Sequence, residues 1–183
     1  MCKWLVLFTT FLIHAVIVFG QTKSYNSFIP VGFTILDSAI GDINKDGIKD
    51  AVLILKVKNE AAWSSTVRPL LVLEGNKRKQ FKLVARNDHV VMCWDCGGVH
   101  GDPYVRTVIK NGYFSVEHFG GSGWRWTRVI TFKFNSKTQK LMLHRDAGHY
   151  WHVSEDGKKT ERINGEKDFD KLPFDKYDNV RTW

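Results

Sequence analysis

The stretch VRTVIKNGYFSVEH, residues 105–118, limits its own fold more tightly than any other part of the chain. Asn111-Gly112 suits a two-residue hairpin loop, because both central positions need a positive φ that Asn and Gly tolerate. With that loop Lys110 faces Tyr113, and the register runs back from there. Ile109 meets Phe114, Thr107 meets Val116 and Val105 meets His118 on one face. Val108 meets Ser115 and Arg106 meets Glu117 on the other. Apolar side chains gather on the first face and an opposite-charge pair sits on the second. A slip of one residue would lose both features. The segment predicts an antiparallel hairpin.

The same period of two recurs along the chain. AVLILKV (51–57), RPLLVLE (68–74), FKLVAR (81–86) and KLMLHR (140–145) read as strands, with Pro69 at a strand start or edge. Turn signals separate them: EGN, Asp156-Gly157 and Asn164-Gly165. In GWRWTRVITFKFN (123–135) the even positions are Trp124, Trp126, Arg128, Ile130, Phe132 and Phe134. That side is expected to face the core, with both tryptophans packed. Arg128 breaks the pattern, so it needs a bulge, a buried carboxylate or a strand end. No segment carries a sustained helical stripe; one short helix is expected near EKDFDKLPF (166–174). The fold class predicted is mainly β: one antiparallel domain over residues 21–183, sandwich-like or barrel-like.

The first twenty residues, MCKWLVLFTTFLIHAVIVFG, have a basic start, an apolar middle and a small last residue. That describes a secretory signal peptide, residues 1–20, cleaved after Gly20. An uncleaved anchor is the alternative, but the apolar run falls short of the roughly 20 residues a span needs. The protein is therefore expected to be secreted or periplasmic, with no stable membrane span after cleavage. Cys93 and Cys96 are the cysteines beyond the leader, and export favours a disulfide between them. The net charge of +8 favours anionic surfaces. For an exported protein that points to a polysaccharide or an envelope protein as partner, with no nucleic acid. NKRKQFK (76–82), the densest cationic cluster, reads as a solvated turn.

GDINKDGIKD (41–50) places oxygen-bearing side chains at alternate positions and then a glycine. Calcium takes six to eight oxygen ligands, and a tight loop can aim positions one, three and five at a common centre. Here those are Asp42, Asn44 and Asp46. Gly47 permits the sharp turn, Ile48 offers its backbone carbonyl, and Asp50 adds a further carboxylate. An EF-hand would place a glutamate at position twelve, where this chain has Leu53 inside an obvious strand. The loop followed directly by AVLIL resembles the calcium loops of FG-GAP and VCBS repeats. The resemblance spans about 26 residues, VGFTILDSAIGDINKDGIKDAVLILK, in a single copy. It implies Ca²⁺ in a structural role. A metal-free acidic turn is the alternative.

HVVMCWDCGGVHGDPY (89–104) holds the second unusual constellation. Its Cys-x-x-Cys admits a disulfide, a zinc site with His89 and His100, or a thiol-redox pair. Glycines in GGVHGDP and FGGSG could let two loops approach closely. Trp94, His100, Asp102, His118 and Arg125 would then share a rim, either a binding cleft or a structural corner held by Asp102. Asp102, His100 and His118 are the acid–base candidates if the protein is a hydrolase-like enzyme. In GHYWH, His149 and His152 face opposite sides of a strand and should not share a metal. CGGVHGDPY, NGYFSVEHFGGSGWRW and DFDKLPFDKYD together resemble a family of uncharacterised secreted bacterial proteins, from about Ile29 to Tyr177. That resemblance implies a location and a fold, and no activity.

Overall fold

The computed structural model describes residues 25–155, 158–169 and 171–180. The proposed leader and the Asp156-Gly157 turn lie outside the described residues. Among the described residues nine strands form two antiparallel sheets. The first holds β1 (Phe33–Gly41), β2 (Asp50–Val57), β3 (Arg68–Gly75) and β4 (Phe81–Val91). The second holds β5 (Tyr104–Lys110), β6 (Tyr113–Gly121), β7 (Trp124–Asn135), β8 (Lys140–His152) and β9 (Thr160–Gly165). In each sheet every strand pairs with its neighbour in sequence. Short connections require this, since antiparallel strands need only a tight turn between them. The fold is sandwich-like, and among the described residues the two sheets form no closed barrel.

The core lies between the sheets. Val52, Ile54, Leu70 and Val72 of the first sheet meet Phe114, Val116, Ile130 and Phe132 of the second. Phe174 and Tyr177, in and after a short 3-10 turn (Phe174–Lys176), close one side of this core. Asn87 on β4 pins that turn by donating to the carbonyls of Phe174 and Tyr177. The 3-10 turn shares only Phe174 with the 166–174 stretch where a short helix was expected; residues 166–169 form turns instead. Pro173, near the end of that stretch, has no backbone N–H to donate back to a preceding helical turn.

The unbroken apolar run of β2 has its own explanation. Ala51, Leu53 and Leu55 point away from the main core, yet all are buried. Tyr25, Phe28 and Ile29 cover that outer side together with Phe33, Ile35 and Phe81. β2 and β3 are thus buried on both faces, and alternation is not expected of such strands.

The hairpin of β5 and β6 takes the expected register from Lys110↔Tyr113 back to Arg106↔Glu117. Arg106 donates from Nε to Glu117 at 2.9 Å. One pair differs from expectation: a bulge puts Tyr104, not Val105, opposite His118. The Tyr104 hydroxyl is held by Asp37 on β1 at 2.6 Å and by Thr107 at 2.8 Å, which draws Tyr104 inward and turns Val105 out. On β7, Ile130 and Phe132 are fully buried, as alternation requires. Trp124, expected to pack, is 55% exposed. It lies at the far end of a long strand, near the edge of the core.

Candidate functional site

The Asp-rich loop joins β1 to β2. Asp42 caps two of its amides: Lys45 N donates to Oδ1 at 2.6 Å and Gly47 N to Oδ2 at 2.9 Å. Asn44 Oδ1 accepts from Asp46 N at 3.0 Å, and Asp46 Oδ1 accepts from Ile48 N at 2.7 Å. These side-chain-to-backbone bonds explain why Asp and Asn alternate here. Lys45 at φ 65° and Gly47 at φ 82° supply the left-handed turns. Asp50, 2% exposed, accepts from Ile43 N at 2.9 Å and from Gly75 N at 3.0 Å, tying the loop to β3. Burial pushes its carboxyl above the usual range; the amides of Gly75 and Ile43 oppose the rise, and the charge of Asp46 adds to it.

The structure adds a residue that motif spacing could not show. Glu74, at the end of β3, accepts from Asn44 Nδ2 at 3.2 Å, and the same amide donates to Asp46 at 3.1 Å. Four carboxylates therefore surround the loop, and among the described residues none has an ion-pair partner. Their hard oxygens match the donor chemistry of calcium. As they stand, Asp42 and Asp46 are turned onto the loop's own amides. Among the described residues, the set of three His, Cys, Asp or Glu ligands gathered within 4.8 Å is Cys93, Asp95 and Cys96, not these aspartates. Each carboxylate oxygen carries two lone pairs, so an oxygen that accepts from a loop amide keeps a second for a cation.

Cys93 and Cys96 form a disulfide, with Cα atoms 5.2 Å apart, which leaves no thiolate for the zinc alternative. The two glycine loops do meet. Gly121 N donates to Gly97 O at 2.9 Å, Val99 N donates to Gly121 O at 3.2 Å, and Gly98 bridges Gly121. A Cβ on Gly98 would stand 2.9 Å from the Gly121 carbonyl oxygen, and one on Gly120 2.9 Å from Gly97 Cα, so this closure has no room for side chains there.

The expected rim is divided by this corner. Asp102 makes a forked pair with Arg68, 2.7 Å to each nitrogen, and caps Tyr104 N at 2.9 Å. Glu60 holds the same guanidinium at 2.8 and 3.0 Å. Burial alone would lower the Arg68 pKa; Asp102 and Glu60 more than reverse it. Desolvation likewise works against the Asp102 carboxylate, yet Arg68 holds it below the ordinary range. His118 is 2% exposed and sits in the interior rather than on the rim, accepting from Met92 N at 3.3 Å. Burial, reinforced by the charge of Arg128, pushes its pKa down to about 3. Trp94 donates to the Trp63 carbonyl at 2.6 Å. The His100 ring lies tilted against Phe119, and Arg125 lies on the outer face of β7, opposite Gly121 and Trp151. Asp102 acts as the corner piece, held by Arg68 and by the Tyr104 amide. His149 and His152 project to opposite sides of β8.

Comparison with protein-family models, with curated proteins and with solved structures found no match. Among the described residues no helix is long and apolar enough to cross a membrane.

Proposed function

We propose that the chain is an exported β-sandwich, stabilised by calcium in the Asp42–Asp50 loop, that serves as a binding or accessory module at the cell envelope. One observation carries the metal reading. Asp42, Asp46, Asp50 and Glu74 crowd one end of the first sheet without an ion-pair partner among the described residues. Like charges brought together favour a bound cation. The loop offers only oxygens: the carboxylates, the Asn44 amide and the Ile48 carbonyl. Calcium, where bound, supplies charge neutralisation and a cross-link. The residues of this chain then join the β1–β2 loop to β3 through Asp50 and Glu74. The resemblance to FG-GAP and VCBS loops supports the same assignment. The apolar leader and the Cys93–Cys96 disulfide support an oxidising compartment outside the cytoplasm.

A binding role is preferred to acid–base catalysis because Asp102 and His118 are both engaged in structural contacts. Calorimetric titration of the whole chain with CaCl₂ tests the metal reading. One-site uptake is expected, weakened by Asp46→Asn and by Glu74→Gln. An absence of heat together with an unchanged melting temperature would end it.

A further inference from the structure

β1, β3, β5 and β7 all run toward the end of the sandwich that holds the Asp-rich loop, so the four turns that follow them emerge together. A Cβ on Gly112 would stand 2.3 Å from Lys45 Cε, so the Lys45 stem lies across the β5–β6 turn and joins the tips of the two sheets. Asn44 and Glu74 border one cavity with Gln139 and Lys140 at the β7–β8 turn. With strands about 4.8 Å apart and sheets about 10 Å apart, the four turns share a tip roughly 10 Å across in each direction.

This tip gathers positive charge. The β1–β2 loop supplies Lys45 and Lys49, and the β3–β4 turn supplies Lys77, Arg78 and Lys79. The turns of the second sheet add Lys110 and Lys137, and all of these side chains are exposed. None is within ion-pair distance of a carboxylate among the described residues. Arginines elsewhere are matched: Arg68, Arg106, Arg128 and Arg145 each hold a carboxylate. At the tip the cations outnumber the carboxylates, which are Asp42, Asp46, Asp50 and Glu74. NKRKQFK taken alone reads as a solvated turn; the fold sets it beside three other cationic turns. Asn76 fixes its shape by accepting from Arg78 N at 2.9 Å and from Gln80 N at 3.1 Å.

We infer that this tip docks on an anionic phospholipid bilayer, with its lysines against the lipid phosphates. The inference rests on the envelope-module reading above and names the surface that module meets. Each Lys or Arg near an anionic bilayer adds an attraction that fades within a Debye length, so cations gathered on one tip act together. Charge complementarity fits a plane of phosphates, because the cations sit on four turns across both sheets rather than along a line. The turns, 42–49, 76–80, 111–112 and 136–139, contain no aromatic residue. A sugar ring or an unpaired base would find nothing there to stack on. Calcium in the loop would offset the carboxylates at the centre of the tip and leave the cations in greater excess.

The test uses the whole chain with vesicles of equimolar phosphatidylglycerol and phosphatidylcholine, read by co-sedimentation in EDTA. Pure phosphatidylcholine vesicles measure what the apolar leader contributes, and a mannuronate hexamer tests a polyanionic sugar. Binding to the mixed vesicles is expected to be about hundredfold or more tighter than to phosphatidylcholine. Lys77→Gln/Arg78→Gln/Lys79→Gln should weaken it about hundredfold with an unchanged melting temperature, since all three side chains are exposed. The same loss of charge at the opposite end, Lys58→Gln/Lys158→Gln/Lys159→Gln, should weaken it less than about threefold. Asp42→Asn/Asp46→Asn should strengthen it about tenfold, because two negative charges leave the tip. Equal binding to both kinds of vesicle, equal weakening by the two triple variants, or binding of the hexamer without vesicle binding would overturn the inference. Calorimetry with CaCl₂ on the same chain separates the two readings. Calcium uptake without vesicle binding sinks this inference alone, and vesicle binding without calcium uptake sinks the loop assignment alone.

Discussion

Arg128 on β7 and Asp146 on β8 face each other inside the second sheet, with contacts of 2.6 and 2.8 Å. The Tyr177 hydroxyl donates to the same carboxylate at 2.8 Å, and the Asn179 carbonyl accepts from the guanidinium at 2.9 Å. Asp146→Ala would leave a buried cation without its counter-charge. It should cost about 3–5 kcal/mol, read by urea unfolding. His118 lies beside this pair and the Arg68 group, and its pH response follows from its surroundings. Its ordinary pKa is near 6.5 and its folded value is about 3. As pH falls, the unfolded chain takes the proton first. The contribution is therefore full above about 6.5 and is lost progressively as pH falls toward 3, by about 1.4 kcal/mol per pH unit. Unfolding curves at pH 7, 6 and 5 should show a smaller decline for His118→Gln than for the parent.

The elements divide into those with local causes and those without. The Asn111-Gly112 turn and the register beside it depend on residues close in sequence, and they were legible there. The bulge at Val105 was not, because it follows from the bond between Tyr104 and Asp37, 67 residues apart. Two positive-φ glycines show the same division in a testable form. Gly101, at φ +68°, has open space where a Cβ would sit, so Gly101→Ala should cost only the left-handed backbone term of about 1–2 kcal/mol. Gly98, at φ +67°, faces the Gly121 carbonyl oxygen 2.9 Å from that position. Gly98→Ala adds separation of two loops to the same backbone term and should cost about 2–3 kcal/mol. Thermal unfolding of the two variants should rank them in that order.

At the scale of the whole molecule, two meanders of successive strands close on a shared core, and the segment around Tyr25–Ile29 seals the outer side of the first. The Asp-rich loop sits where that sheet meets the β5–β6 hairpin: a Cβ on Gly41 would lie 2.5 Å from Ile109. A cation held there would tie β1, β2 and β3 together. At a hundredfold excess over its Kd, calcium should stabilise the chain by about 2.7 kcal/mol, a rise of about 5–10 °C for a protein of this size. Melting curves with and without EDTA should show that rise in the parent and its loss in Asp42→Asn/Asp46→Asn.

Strand positions, the mainly β class, the hairpin register and the glycine-bent acidic turn were set by the sequence alone, because alternation and turn chemistry act over a few residues. Tertiary structure alone decided that Arg128 would find Asp146, that Asp102 would close on Arg68, and that His118 would be buried. It also brought Glu74 to Asn44, 30 residues away, and set Arg125 beside Trp151 with its Nε unfilled. Which charges meet, and which are covered, depends on how distant strands stack. That stacking follows from burial of the combined apolar faces and not from the spacing within any one strand.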